Sequence, residues 1–168
     1  MFVINRSVLA RSAASIILAG AVLIGTSGCV FMTKQATLIQ YDPSDGIGAS
    51  VGNVEVRNAL GIAGEDGDAI SLMITLINTG DRAAGVRLQY VSGGEDLTTI
   101  VRVGAGETVS LGNEPGGEQL VILNPDVAAG ELLPVYAQYG SNEGVQMLVP
   151  VLEATGIYEE LSPAAILR

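Results

Sequence analysis

From Tyr41 onward, short apolar or alternating runs are broken again and again by glycine, aspartate and asparagine, and that punctuation restricts the fold more than any other feature. Asp42-Pro43-Ser44-Asp45-Gly46, Asn78-Thr79-Gly80-Asp81, Ser92-Gly93-Gly94, Gly104-Ala105-Gly106-Glu107, Pro115-Gly116-Gly117 and Gly140-Ser141-Asn142 are turn-formers. Glycine supplies positive φ in such turns, and Asp and Asn bond back to their own backbone. The runs between them are too short for globular helices and are rich in β-branched residues. They predict strands over 36–41, 51–59, 69–78, 85–92, 97–103, 108–111, 120–123, 133–139 and 145–152.

In the run at 86–91, Val86, Leu88 and Tyr90 share one face, and Arg87 and Gln89 the other. The run at 71–77 is apolar on both faces, the pattern of a central strand or one covered on both sides. Strands at this spacing, with no long helical pattern, predict an all-β, immunoglobulin-like or cupredoxin-like antiparallel β-sandwich. There is no tryptophan and only one cysteine, so an antibody-type domain is excluded and no internal disulfide can form.

That cysteine, Cys29, ends the run Ala21-Val22-Leu23-Ile24-Gly25-Thr26-Ser27-Gly28. Arg6 and Arg11 form a positive n-region, residues 12–25 an apolar h-region, and Thr26-Ser27-Gly28 a small-residue cleavage site. The segment resembles the lipobox of a bacterial lipoprotein, with Thr26 where such motifs usually carry Leu. The uncharged run 12–30 also admits an uncleaved anchor, but it is rich in Ala, Gly and Ser and barely reaches the roughly 20 apolar residues of a spanning helix. The organisation expected is a signal peptide over 1–28, a tether acylated on Cys29 over 29–40, a sandwich domain over 41–156 and a C-terminal tail or short helix over 157–168. The expected location is the extracytoplasmic face of the cell membrane. Membrane lipid is a partner through Cys29, and two acyl chains anchor stably where one holds only marginally.

The net charge of the chain is −10, and removal of Arg6 and Arg11 with the leader would deepen it to −12. That sign excludes nucleic acid as a partner, because phosphates need Lys and Arg to neutralise them. There is no histidine, which excludes a Ser-His-Asp triad, a Cys-His dyad and a His-ligated metal. Lys34, the only lysine, lies in the tether, away from any Ser-Lys pair. The acidic turn Glu65-Asp66-Gly67-Asp68 and the Asp42–Gly46 segment offer oxygens for calcium but lack the spacing of an EF-hand, and read as solvated turns. Gly104-Ala105-Gly106 precedes a strand and lacks the further glycine and Lys of a phosphate loop.

Cys29, the Tyr41-Asp42-Pro43-Ser44-Asp45-Gly46 segment, the Val51-Gly52-Asn53-Val54-Glu55-Val56-Arg57-Asn58 run and the Asn78-Thr79-Gly80 corner together resemble a family of small actinobacterial lipoproteins of the LpqE type. That resemblance implies a lipobox followed by a single sandwich domain. Some members carry the label "DNA modification methylase", which neither the motifs nor the charge of this chain fit. The family is in turn distantly similar to periplasmic copper chaperones, which bind copper through His and Met. This chain has none of those histidines, so the resemblance implies the fold and not the site.

The function expected is a non-catalytic binding or interaction module at the cell envelope, with no cofactor and with an unidentified envelope protein or ligand as partner. Tyr136, Tyr139 and Tyr158 are its candidate contact residues. The alternative is copper or cation handling without histidine, which needs Met73 and Met147 to converge on a surface or the acidic turns to cluster. A carboxylate-based hydrolase is the third reading and needs two acids in one cleft.

Overall fold

The computed structural model describes Arg11, residues 13–18 and residues 44–163. Arg11 and residues 13–18 are helical and belong to a separate unit, Met1–Tyr41. Among the described residues no helix is long and apolar enough to cross a membrane. Cys29, the cleavage site, Lys34 and the expected strand 36–41 lie outside the described residues.

Residues 47–153 form nine strands: β1 (Ile47–Val51), β2 (Val54–Ala63), β3 (Ala69–Asn78), β4 (Ala84–Ser92), β5 (Glu95–Val103), β6 (Thr108–Leu111), β7 (Leu120–Leu123), β8 (Leu132–Tyr139) and β9 (Val145–Glu153). A 3-10 helix, Gly156–Leu161, follows. The all-β expectation holds, and β3, β6 and β7 keep their expected limits. One expected strand divides. Val51 ends β1, Gly52 (φ 56°) and Asn53 make a two-residue turn, and β2 runs back from Val54. Gly-Asn between apolar residues is a hairpin signal, and here it outranks the continuous β-propensity of 51–59.

One layer contains β1, β2 and β3, with β6 and β7 pairing successive halves of β3. The other runs β5-β4-β8-β9. The layers join along one seam, where β9 outruns β8 and lies parallel to β2 at Gly61↔Val151, Ile62↔Leu152 and Ala63↔Glu153. Among the described strands this is the one departure from an antiparallel sandwich. Gly61 permits it, because a Cβ there would stand 3.1 Å from Ile70 and 3.2 Å from Val151.

The main core lies between the layers. It takes Ile70, Leu72, Ile74 and Leu76 from β3, Val86 and Leu88 from β4, Val135 from β8, and Met147 and Val149 from β9. A second cluster lies on the outer side of β2 and β3, where Leu60, Ile62, Met73 and Leu161 are buried together. A β-bulge creates it. Arg57 pairs Thr75 but Leu60 pairs Met73, so β2 carries one residue more than its partner. Asn58, at φ 48°, is in the left-handed conformation there. Val54 and Val56 point inward before the bulge and Ala59 and Ala63 after it, leaving Leu60 and Ile62 outside. The 3-10 helix covers them through Leu161, with Tyr158 packed alongside.

At the opposite end, Asn78 is 1% exposed. Its Nδ2 donates to the carbonyls of Arg82 (2.7 Å), Gly104 (2.9 Å) and Val103 (3.2 Å), and its Oδ1 accepts from Gly80 N–H at 3.0 Å. Thr79 N–H and Oγ1 both donate to the Asn53 carbonyl at 2.9 Å. The Asn78-Thr79-Gly80 corner thus ties β3 to both layers.

Two stability outcomes follow from these contacts. Gly46 N–H donates to Asn58 Oδ1 at 3.2 Å, and a Cβ on Gly46 would meet Asn58 and Ala59 backbone atoms at 2.7–2.8 Å. Gly46→Ala therefore destabilises by about 1–3 kcal/mol through overpacking. Asn78→Ala leaves buried carbonyls without donors and costs about 1–3 kcal/mol. Asn78→Asp costs more, because it turns a carboxylate oxygen toward three carbonyl oxygens. Urea unfolding measures both.

Candidate functional site

The seam builds a groove. The acidic turn between β2 and β3, the 124–131 connection and the end of β9 enclose a cavity of about 420 Å³ lined by Ala63, Gly64, Glu65, Asp66, Val127 and Ala129. A second, apolar depression of about 500 Å³ adjoins it, lined by Val151, Leu152, Ile157 and Tyr158; the two share Ala129, Glu153 and Thr155.

Each wall has a local cause. Asn124 N–H donates to the Asp68 carbonyl at 2.7 Å, fixing the connection to the acidic turn. Gly130 N–H donates to the Val151 carbonyl at 2.8 Å, and Val151 N–H to the Glu131 carbonyl at 3.0 Å, so the connection lies along β9. Ala128 N–H is capped by the Glu131 carboxylate at 2.8 Å. On the far wall, the Tyr158 hydroxyl donates to the Asp45 carboxylate, fastening the 3-10 helix to the segment before β1. That hydrogen bond holds the phenol pKa above its ordinary value, with desolvation and the charge of Asp45 adding to it. Ile157, beside it, is 82% exposed.

Glu65, Asp66 and Glu153 border the groove, and none has an ion-pair partner among the described residues. Among the described residues the lining carries no Ser, Cys, Lys or Arg, and its only hydroxyls are Thr155 and Tyr158. The arrangement offers apolar contact bordered by negative charge. It suits a ligand with an apolar body and a positive group, and the one lining hydroxyl bonded to a carboxylate, Tyr158 on Asp45, is held in its protonated form by that bond.

The sequence candidates are placed separately. Met73 is in the outer cluster and Met147 in the main core, each buried among aliphatic side chains, so they do not converge. Among the described residues no three His, Cys, Asp or Glu side chains group so as to hold a metal ion. Glu65, Asp66 and Asp68 form an exposed turn. Gly104-Ala105-Gly106 is a tight turn whose Gly104 N–H is taken by the Glu107 carboxylate, leaving no phosphate cradle. Tyr139 is structural: its hydroxyl accepts from Asn53 N–H at 3.1 Å, and its ring fills the space beside Gly52. Tyr136 is on the outer face of β8, its ring against Gly144. Only Tyr158 lines the groove. Sequence reasoning did not single out Val127, Ala129, Thr155 or Ile157. The one signal for them was two apolar residues, Ile157 and Tyr158, set directly before the acidic pair Glu159-Glu160.

Tyr158→Phe keeps the ring and removes the hydroxyl. The folded state favours the neutral phenol, so the bond's stabilisation is complete below the ordinary tyrosine pKa, near ~10, and disappears as pH rises through the raised value. The variant therefore melts below the parent at pH 7, and the gap closes in strongly alkaline buffer. Thermal melts across that range, with absorbance titration of the phenols, measure it.

No protein-family model matches the sequence, and no curated protein matches it. Among solved structures, the chain is similar to the apo PCuAC domain from PmoF1, with 18% identity and a TM-score of 0.52 over 64% of this chain and 99% of that one. It also matches the copper-bound PCuAC domain from PmoF2 (17% identity, TM-score 0.48, 64% of this chain and 98% of that one). The apo PmoF2 PCuAC domain matches at 15% identity and a TM-score of 0.48, over 63% and 94%. The likeness to the PmoF1 domain is one of fold.

Proposed function

We propose that this protein is a non-catalytic binding module of the cell envelope, held to the membrane through acylated Cys29 and built on the sandwich of the PmoF1 PCuAC domain. The observation that carries the binding reading is that likeness of fold over nearly the whole of the PmoF1 domain. The groove supports binding over catalysis, since it offers apolar walls and carboxylates with no activated nucleophile. The anchor rests on the charge-free run ending in Cys29. No nucleic acid is expected, given the net charge of −10.

Copper handling is the second reading, and the fold likeness favours it more directly than it favours a protein partner. The residues weigh on the other side. Cu(I) selects thiolate and thioether ligands. Of the soft donors, Met73 and Met147 are spent in packing, while Cys29 and Met32 lie outside the described residues.

Competition for Cu(I) against a chromophoric chelator separates the two readings. If the module binds something other than copper, the chain leaves the chelator saturated, and Met73→Leu with Met147→Leu changes nothing. Stoichiometric withdrawal of Cu(I), lost in Cys29→Ser or Met32→Leu, would make copper the cargo. The anchor is checked separately by metabolic labelling with a palmitate analogue: Cys29→Ser loses the label.

A further inference from the structure

β5 is an open edge. It pairs with β4 through all nine of its residues without a register shift, and with no other strand among the described residues. Sheet edges are normally blunted by charged side chains, Lys above all, by Pro, by a bulge or by a covering segment. Glu95–Val103 has no Lys, Pro or bulge; its charges, Glu95, Asp96 and Arg102, stand toward its ends, and its central residues are β-formers. Two apolar side chains stand exposed on it, Ile100 at 60% and Leu97 at 41%.

The turn fixes which backbone groups are free. Gly93 (φ 61°) and Gly94 (φ 78°) make a two-residue hairpin turn, so Ser92 and Glu95 form its hydrogen-bonded closing pair. By alternation, Glu95, Leu97, Thr99, Val101 and Val103 direct their N–H and C=O groups to β4. Asp96, Thr98, Ile100 and Arg102 direct theirs to the open edge. Neither Asp96 nor Arg102 has an ion-pair partner among the described residues.

We propose that β5 pairs antiparallel with β5 of a second copy of this chain, about a two-fold axis at Thr99. The strand is complementary to its own reverse. In this register Asp96 stands opposite Arg102 of the second copy, and Thr98 opposite Ile100, each twice. These four are the residues whose backbone groups face the edge, so every free N–H and C=O among them finds a partner. Leu97 meets Val101, and Thr99 meets itself in a non-hydrogen-bonded pair. A shift by one ladder step in either direction sets Asp96 against Ile100 or against Gly104 and shortens the ladder. Charge and hydrogen bonding therefore select the same register. The pairing joins the β5-β4-β8-β9 layers of both copies into one continuous sheet.

The test is charge exchange in the full chain, with mass measured by sedimentation against concentration in excess detergent. Wild type is expected to dimerise reversibly. Asp96→Arg and Arg102→Asp each set like charges face to face twice, and each should raise the dimer dissociation constant at least about tenfold. The double variant, which reverses both charges, should return it close to wild type. In a Cys29→Ser background, Thr99→Cys should oxidise to a covalent dimer, since Cα atoms in a non-hydrogen-bonded antiparallel pair stand only about 4.5 Å apart. A wild type that stays monomeric to about 1 mM, a dissociation constant beyond any specific pairing of this kind, would overturn the proposal. So would a dimer indifferent to the single reversals, or a double variant no tighter than either single. Thr99→Cys that fails to cross-link while the dimer persists would overturn this register.

Discussion

One extra residue in β2 decides what the outer surface of this sandwich becomes. Along an unbroken strand, side chains alternate strictly, so Val54, Val56, Leu60 and Ile62 would all face the main core. Asn58 adds a residue in the left-handed conformation and reverses the alternation beyond it. Leu60 and Ile62 then stand on the outside beside Met73. Large apolar side chains exposed there would favour association, and burying each contributes roughly 1.5–3 kcal/mol. The 3-10 helix covers them with Leu161. Its position forms the far wall of the groove, so the groove traces back to the bulge. Asn suits this position twice, because it tolerates positive φ and its side chain accepts the Gly46 N–H.

The seam is the second consequence of β2's length. Beyond the bulge the strand continues to Ala63, past what its β-propensity alone suggests, and its last residues pair with β9. A parallel pairing between two antiparallel layers gives each a shared strand edge. It also closes an edge that solvent or another chain would otherwise meet. Gly61 is the small residue that lets β2 and β9 approach there, with Ile70 and Val151 filling the space a side chain would take.

Most of the fold was legible in the sequence because its signals are local. Glycine-rich turns separate the strands, and the doubly apolar face of β3 announced a strand covered on both sides. The Gly52-Asn53 turn is as local as the others, but the β-formers on either side of it read as one continuous strand. What could not be read was non-local. Nothing in the β2 run marks Asn58 as the site of an inserted residue, since the bulge is defined by partners on β1 and β3. The parallel seam depends on where β9 ends relative to β8, a tertiary fact. The groove draws on segments from 63 to 158, none of which carries a recognisable motif alone. Met73 and Met147 illustrate the converse, since equal residue types on two strands gave no clue that opposite sheet faces separate them.

Charge placement explains how a chain with net charge −10 sustains this core without a disulfide. The acids concentrate in turns and at strand ends, where solvent screens them over a Debye length of about 8 Å at physiological salt. The middle of the outer β4-β8-β9 face is nearly free of them. Pro134, Tyr136 and Leu148 are there, with Arg87 donating to Gln138 at 2.8 Å. Mutual repulsion is thus spread around the ends of the sandwich while its faces stay close to neutral. The groove is at one of those ends, which is why its apolar walls carry a carboxylate border without any bonding arrangement that would demand one. A sandwich of this kind keeps its core by inward-facing residues and leaves the end loops free to change. In this chain those end segments carry Glu65, Asp66, Val127, Glu153 and Ile157, and the likeness to the PmoF1 PCuAC domain is one of the scaffold beneath them.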